Sequence, residues 1–277
     1  MIGQRNLQSR IEQLINNDSF PRFSILVGPK GSGKKTLAHQ MACDLKALIY
    51  DCDVKIDAIR SMITDCYKLW EKTCYVIADA DNMSNAAKNA LLKVTEEPPN
   101  NAYFIMTLEN ENNTLDTIRS RGTVFHMDRY TPDEIFEYYW TVGNMPNDAE
   151  RVRDICATPG EVKKCIEMCD GTIQSFYDYV QLVVDNIAEV SLANAFKIPG
   201  KVSLKEDAEG YDLRLFWKAV ANVMLDNAKQ RGNSEELVKY CDGYSVTSKY
   251  LQKLKTKGIN RQMLIDNWLL EIRDLWM

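Results

Sequence analysis

The sequence predicts an α/β domain with a parallel sheet, followed by a helical region. Three observations support this fold class. Short apolar runs alternate with helix-length segments in the first half of the chain. A segment rich in glycine and lysine, SILVGPKGSGKKTLAHQ, joins the first apolar run to the first helical segment. After about residue 128 the strand-like runs stop, and capping patterns for helices take their place.

Five short runs of apolar and β-branched residues predict the strands. These runs are 22–27, 47–50, 74–79, 102–107 and 123–127. Helical patterns lie between them, among them KTLAHQMACDL, VKIDAIRSMITDCYKLW and SNAAKNALLKVTEE. Strands that are nearly continuous in apolar residues and are joined by helix-length crossovers form parallel sheets covered on both faces. The last of these helices is expected to end before Pro98-Pro99, because a residue that precedes proline is disfavoured in the α conformation.

Capping signals predict helices in the rest of the chain. TPDE at 131–134 and TPGE at 158–161 each combine an N-cap threonine, a proline at the first helical position and a glutamate that can complete a capping box. Asn260 is a suitable N-cap for a terminal helix. The segment 200–210 is predicted to be a flexible connection. We therefore expect an α/β domain at 1–128, a small helical domain at 129–170 and an all-α domain at 171–277.

Apolar residues form a stripe along the predicted terminal helix. They recur at three- and four-residue spacing, and they are Met263, Leu264, Trp268, Leu269, Ile272, Leu275 and Trp276. Such a stripe is either the core of a helical bundle or a surface for a partner chain. The tryptophans are expected to pack in domain cores or in the C-terminal domain; they are Trp70, Trp140, Trp217, Trp268 and Trp276.

Composition limits the classes of function. The net charge of −5 argues against general coating of duplex DNA, which requires a basic face. The eight cysteines form no C-x-x-C pair, and neither of the two histidines has a neighbour at metal-ligand spacing, so no zinc is expected. No apolar run is long enough to cross a membrane, and no membrane partner is expected. These features predict a cytoplasmic protein.

The glycine-rich segment is a candidate phosphate-binding loop. Its residues are Gly28, Pro29, Lys30, Gly31, Ser32, Gly33, Lys34, Lys35 and Thr36. Such loops bind phosphate through backbone N–H groups, the positive end of the following helix and one lysine, here Lys34. A plain βα turn, or a lysine pair that contacts DNA phosphate, is the alternative. The position after Lys34 normally carries a Ser or Thr hydroxyl that binds magnesium, and here it is Lys35.

The end of the third predicted strand also departs from a hydrolytic site. Phosphate-loop hydrolases place a magnesium-binding Asp there, followed by a group that orients water. Ala78 occupies the first position and Asp79 the second. We therefore expect no magnesium at this site, whereas ATP, ADP or phosphate can still bind the loop. We interpret Asp79 and Asp81 as solvated residues at the edge of a loop rather than metal ligands.

Two longer segments give a specific resemblance. NAAKNALLKVTEEPPNNAYFIMTLEN and TIRSRGTVFHM, together with IGQ at 2–4, GPKGSGKKTLA and KIDAIRSMI, resemble the clamp-loader branch of the AAA+ ATPases. Within that branch they are closest to the delta-prime subunits of bacterial DNA polymerase III. The resemblance implies an AAA+ domain at 1–128, a helical lid at 129–170 and a collar at 171–277 that joins subunits into a ring. The zinc-binding insertion of bacterial family members is missing between Tyr50 and Cys74.

The resemblance also implies roles for particular residues. Ser120-Arg121-Gly122 stands where the family carries an SRC motif, whose arginine enters the ATP site of a neighbouring subunit. Glu109 stands at the sensor position after the fourth strand, and Gly160 stands where active subunits carry a sensor arginine. Without the motif, Arg121 would be read as pairing with a carboxylate on its own surface.

The function expected from these features is that of a clamp-loader subunit without a complete ATPase site. The expected partners are other loader subunits in a hetero-oligomeric ring, the sliding clamp and primed DNA. Two alternatives remain open: an active AAA+ ATPase that uses Thr36 and Asp79, and a switch that binds nucleotide without hydrolysing it.

Overall fold

The computed structural model describes residues 3–142, 149–169, 173–187, 189, 191, 196–197, 199–204, 210–230, 234–254, 256 and 258–277. The chain forms two compact units, Met1–Tyr130 and Thr131–Met277. No helix in these ranges is long and apolar enough to cross a membrane.

The first unit contains a five-stranded parallel sheet. Its strands are β1 (Phe23–Val27), β2 (Leu48–Cys52), β3 (Thr73–Ile77), β4 (Ala102–Leu108) and β5 (Thr123–His126). The strand order is β2-β3-β4-β1-β5, and every neighbouring pair is parallel. All five predicted strands are confirmed. β1 lies between β4 and β5, so strands that follow one another in the chain are not always neighbours in the sheet. Crossover helices connect these parallel strands.

Helices cover both faces of the sheet. They are α1 (Arg5–Asn16), α2 (Lys34–Asp44), α3 (Ile56–Cys66), α4 (Asn85–Glu96) and α5 (Asp116–Arg119). Adjacent β1 residues show the two layers, because Ile25 packs in the cluster with α3, α4 and α5, whereas Leu26 packs in the cluster with α1 and α2. Successive side chains of a strand point to opposite faces, so one continuous apolar run supplies both cores.

The edge strand β2 differs from the expectation that the sheet is covered on both faces. β1, β3 and β4 are buried along their whole length. In β2, Leu48 and Tyr50 are each 47% exposed. β2 hydrogen bonds to β3 alone, so its outer edge and part of its faces contact solvent. The apolar composition of β2 predicted a strand correctly, but the prediction that this strand is covered on both faces is wrong.

The Pro98-Pro99 pair ends α4 as expected, and a serine cap begins the helix. The Ser84 hydroxyl accepts a hydrogen bond from the Ala87 N–H at 3.2 Å. The helix ends at Glu96, two residues before Pro98-Pro99. Capping satisfies an N–H group that has no partner within the helix.

The second unit is mainly helical. Its helices are α6 (Pro132–Val142), α7 (Ala149–Ile155), α8 (Pro159–Met168), α9 (Ile173–Asn186), α10 (Leu213–Gln230), α11 (Ser234–Lys253) and α12 (Arg261–Trp276). The Thr131 and Glu134 side chains form the predicted capping box, with hydrogen bonds of 3.2 and 2.8 Å. Thr158 caps α8, but the Glu161 carboxylate accepts from the Ala157 N–H instead of the N-cap N–H.

Two short strands follow residue 128, where the sequence predicts none. Val202–Ser203 (β6) pairs with Tyr211–Asp212 (β7). Two-residue strands carry no periodic signal, so the all-α expectation missed them. Asp212 then caps α10 by accepting hydrogen bonds from the N–H groups of Arg214 and Leu215. Residues 205–209 of the predicted flexible connection lie outside the described residues.

The apolar stripe of α12 is largely internal to the second unit. Asn260 caps the helix at 3.2 Å, as expected. Trp268 is fully buried and donates a hydrogen bond to the Thr247 hydroxyl. Leu264, Leu269 and Ile272 are buried as well. The centre of the stripe is therefore bundle core, and only its ends, including Met263 and Leu275, are exposed.

The tryptophans do not all pack in cores. Trp217 and Trp268 are fully buried, but Trp70 is 92% exposed in the loop between α3 and β3.

The expected boundary at residue 170 stays a prediction. An ion pair between Glu161 of α8 and Lys218 of α10, at 2.8 Å, links the two sides of that boundary.

Candidate functional site

The candidate phosphate-binding loop has the predicted place between β1 and α2. β1 ends at Val27 and α2 begins at Lys34. Gly31 and Gly33 have φ angles of 77° and 87°, which L side chains rarely adopt. Glycine is therefore required at both positions for this backbone path.

The Lys34 side chain is bound by the loop itself. The residue is 6% exposed, and its ammonium donates hydrogen bonds to the carbonyl groups of Gly28 at 2.9 Å and Pro29 at 3.0 Å. Burial lowers the pKa of Lys34, and the nearby carboxylates of Glu109, Asp79 and Asp81 oppose that shift. The lysine that is expected to bind phosphate thus lies in a region of negative charge.

Hydrogen bonds hold Asp79 and Asp81 next to β4 and the loop that follows it. Asp79 follows β3 with a φ of 52°, and its N–H donates to the Thr107 hydroxyl at 2.9 Å. The Asp81 carboxylate accepts from the Glu109 N–H at 2.7 Å and from the Asn113 side chain at 2.8 Å. Asp81 therefore binds the loop after β4, in addition to lying at the solvated loop edge that the sequence predicted for it. No cluster of metal-ligating side chains occurs among the described residues.

Lys35 is directed to the end of β2. Its ammonium lies 2.9 Å from one Asp51 oxygen, and His39 lies 2.8 Å from the other. Burial alone would raise the pKa of Asp51, but hydrogen bonds from Lys35 and His39 lower it overall. Thr36 is exposed. The magnesium-binding hydroxyl is thus replaced by a surface ion pair.

The segment that follows β5 contacts the loop directly. The Tyr130 hydroxyl donates to the Ser32 carbonyl at 2.7 Å, and the Ser32 hydroxyl lies 3.5 Å from the Met127 sulfur. A Cβ atom at Gly28 would lie 2.9 Å from the Met127 Cβ. Gln4 holds the same segment through two hydrogen bonds to the Asp128 backbone. Sequence reasoning noted Gln4 only within the IGQ segment and missed Tyr130.

Arg121 lies between α5 and β5, on the surface of the first unit. Its guanidinium donates to the Thr117 carbonyl and to the Glu96 carboxylate at the end of α4. The Ser120 hydroxyl also donates to the Thr117 carbonyl, at 3.2 Å. The pairing of Arg121 with a carboxylate of its own chain, considered above as an alternative, is present.

The glycine in the third position of Ser120-Arg121-Gly122 has a packing cause. A Cβ atom at Gly122 would lie 2.9 Å from side-chain atoms of Ile25 and Phe23 in β1. Such a distance is too short unless those buried side chains move. Cysteine therefore does not fit this position without rearrangement of the core.

Part of the chain matches the profile of a known protein family. Residues 50–131, which include Ala78 and Arg121, match the sequence profile of a family described as "DNA polymerase III, delta subunit". The chain is therefore similar to the DNA polymerase III delta/gamma clamp-loader subunits over this segment.

Two curated relatives are similar to the chain over about half of its length. The DNA polymerase III subunit gamma/tau of Mycoplasma genitalium is 28% identical over 49% of this chain and 28% of its own. The replication factor C small subunit of Haloarcula marismortui is 23% identical over 60% of this chain and 56% of its own. The chain thus spans between 28% and 56% of the length of these relatives.

Solved structures show the same fold. A DNA polymerase III gamma subunit-related protein of Thermotoga maritima aligns with a TM-score of 0.53 at 15% identity, over 97% of this chain and 98% of its own. A RuvB variant from the same organism aligns with a TM-score of 0.53 at 18% identity, over 78% of this chain and 88% of its own. At these identities the two alignments show that the chain shares the fold of these proteins.

Proposed function

We propose that this chain is a clamp-loader subunit of the delta-prime type in DNA replication. It serves as a non-hydrolysing stator in a hetero-oligomeric ring of loader subunits, and the ring places a sliding clamp on primed DNA. The observation that carries the proposal is the combination, within one AAA+ domain, of a phosphate-binding loop without magnesium ligands and an arginine at the SRC position.

The surroundings of the loop support the absence of hydrolysis. Catalysis of phosphoryl transfer depends on magnesium and on groups that stabilise the charge developing on the γ-phosphate. Lys35 replaces the hydroxyl ligand, Ala78 replaces the carboxylate ligand, and Glu109 adds a negative charge near Lys34. Weak binding of ATP, ADP or phosphate remains compatible with the helix end and Lys34.

Arg121 is proposed to act on the ATP site of a neighbouring subunit. An arginine can donate two hydrogen bonds to γ-phosphate oxygens and stabilise the transition state. Arginine fingers contribute about 10³ to 10⁵ in rate in related phosphoryl-transfer systems. Because this chain lacks its own hydrolytic groups, the site that benefits belongs to a neighbour.

The test is to reconstitute the loader with wild-type chain or with Arg121→Ala and to measure clamp- and DNA-stimulated ATP hydrolysis and clamp loading. We expect Arg121→Ala to assemble normally but to lower both rates. Total hydrolysis should fall only in part, since a single site of the ring depends on this residue. Arg121→Lys should restore little, because an ammonium cannot make the paired contact of a guanidinium.

Arg119→Ala is the matched control. Arg119 is the last residue of α5, two positions before Arg121, and it pairs with Asp116 on the surface at 2.9 Å, so its replacement removes the same charge from the same region. The loader with Arg119→Ala should hydrolyse ATP and load the clamp at the wild-type rates. Unchanged hydrolysis and loading with Arg121→Ala would refute the proposed role of the arginine.

A nucleotide-gated switch is the second candidate function. It is favoured by the contact between Ser32 of the loop and Tyr130 at the end of the first unit, which would transmit a change in loop conformation. Equilibrium titration with ATP and ADP distinguishes the two. The switch requires a clear preference for one nucleotide, and the stator requires none.

A further inference from the structure

We propose that Glu96 is a positioning residue for Arg121: it holds the guanidinium at the surface from which that residue acts on a neighbouring subunit. This inference rests on the proposed role of Arg121 in trans. Glu96 is the last residue of α4, and its carboxylate accepts a hydrogen bond from Nη2 of Arg121. The resemblance to clamp loaders assigns no role to this glutamate.

Two different elements hold the guanidinium. Nη2 is bound by Glu96 of α4, and Nη1 donates to the Thr117 carbonyl of α5. Thr117 lies one helical turn before Arg121, so its carbonyl moves together with the arginine backbone. The Glu96 contact comes from a separate helix and therefore fixes the direction of the side chain relative to the rest of the first unit.

The local sequence does not favour a glutamate at this position. The carboxyl end of a helix carries partial negative charge, and a carboxylate there is disfavoured. Lys93 lies in the last turn of α4, but Glu96 forms its ion pair with Arg121. The pairing with Arg121 offsets the unfavourable position of Glu96.

The held guanidinium keeps donors for a phosphate. A guanidinium has five N–H groups, and the two contacts use one on each terminal nitrogen. The Arg121 side chain is 29% exposed and that of Glu96 is 51% exposed, so the pair lies at the surface. A free arginine loses rotamer entropy when it is fixed on a ligand, and a guanidinium that is already held loses less. Glu96 therefore assists Arg121 rather than withdrawing it.

The experiment uses the complete reconstituted loader with Glu96→Ala, Glu96→Gln or Glu97→Ala in this chain. The readout is the Arg121-dependent rate of clamp loading, which is the wild-type rate minus the rate of Arg121→Ala. We expect Glu96→Ala to lower this quantity by about threefold to tenfold, through kcat with KM for ATP unchanged. Glu96→Gln keeps an acceptor at the same place and should lower it less, by about twofold.

Glu97→Ala is the control for charge and for the end of α4. Glu97 is the next residue, is exposed and carries the same charge, and it should leave the Arg121-dependent rate unchanged. A double-mutant cycle separates positioning from a structural role. Glu96→Ala combined with Arg121→Ala should have the rate of Arg121→Ala alone, because Glu96 acts only through the arginine.

Each outcome decides one of the two proposals. If Arg121→Ala leaves loading unchanged, the proposed function fails, whatever Glu96 does. The positioning role is refuted if Arg121→Ala lowers loading but both Glu96 variants behave as wild type. It is also refuted if the losses of Glu96→Ala and Arg121→Ala multiply in the double mutant. Thermal unfolding of the isolated variants shows whether α4 is intact. If Glu96→Ala unfolds the chain, a double-mutant cycle of Glu96→Gln with Arg121→Ala takes its place, and the same criteria decide whether Glu96 positions Arg121.

Discussion

At the scale of single residues, the groups expected for hydrolysis are replaced at several independent positions. Lys35 is paired with Asp51, Ala78 has no oxygen ligand to offer, and Glu109 lies close enough to Lys34 to affect its pKa. These positions lie on α2, after β3 and after β4. No single substitution can restore a magnesium site that lacks ligands from two elements.

We therefore predict that the isolated protein hydrolyses ATP at well below ~1 s⁻¹, the low end of ordinary enzyme turnover. Lys35→Thr should not raise the rate, because Ala78 still provides no second magnesium ligand. The measurement is steady-state phosphate release with and without Mg²⁺. Magnesium-dependent turnover near ~1 s⁻¹ would favour the active ATPase instead.

At the scale of elements, the loop, the end of β5 and the N-terminal segment form one connected group. Tyr130 binds the Ser32 carbonyl, Met127 packs against Gly28, and Gln4 binds the Asp128 backbone. These contacts join segments from the beginning and the end of the first unit. They fix the path by which the chain leaves the sheet after β5.

Tyr130→Phe tests one of these contacts. The substitution removes the hydroxyl that donates to the Ser32 carbonyl, which is a buried hydrogen bond. We expect the free energy of unfolding to fall by about 1 kcal/mol, because a buried acceptor loses its partner. The measurement is urea denaturation, with Tyr67→Phe as control, since Tyr67 is 55% exposed. An equal effect of both substitutions would contradict the importance of this contact.

At the scale of the whole molecule, each unit has its own core. The first unit buries its sheet between two helical layers, and the second buries Trp217 and Trp268 among its helices. The exposed ends of the α12 stripe, together with Leu237 and Val238 of α11, leave apolar surface on the second unit. Such surface is suited to contacts with other subunits.

We predict that residues 1–130 fold on their own but do not enter the loader. Circular dichroism and a cooperative urea transition measure folding, and co-purification with the other subunits measures assembly. Truncation after residue 170 should give a less stable chain than truncation after residue 130, because it removes Lys218, the partner of Glu161 in α8. If residues 1–130 enter the complex with full affinity, the second unit is not the oligomerisation surface.

The sequence by itself determined the features that depend on neighbouring residues. Apolar runs located all five strands of the first sheet, and side-chain caps located the starts of α6, α8 and α12. The position of the phosphate-binding loop and the missing hydroxyl at Lys35 were also readable. These signals act within one turn or one strand, so they require no knowledge of packing.

Only the tertiary structure decided which distant groups meet. The pairing of Arg121 with Glu96, the carboxylates around Lys34, the contact of Tyr130 with Ser32 and the burial of Trp268 all join residues far apart in the chain. The exposure of β2 likewise followed from its place at the sheet edge and not from its composition. The partner of a side chain depends on how helices and strands pack against one another. The local sequence pattern does not encode the distance between helices and strands that are far apart in the chain.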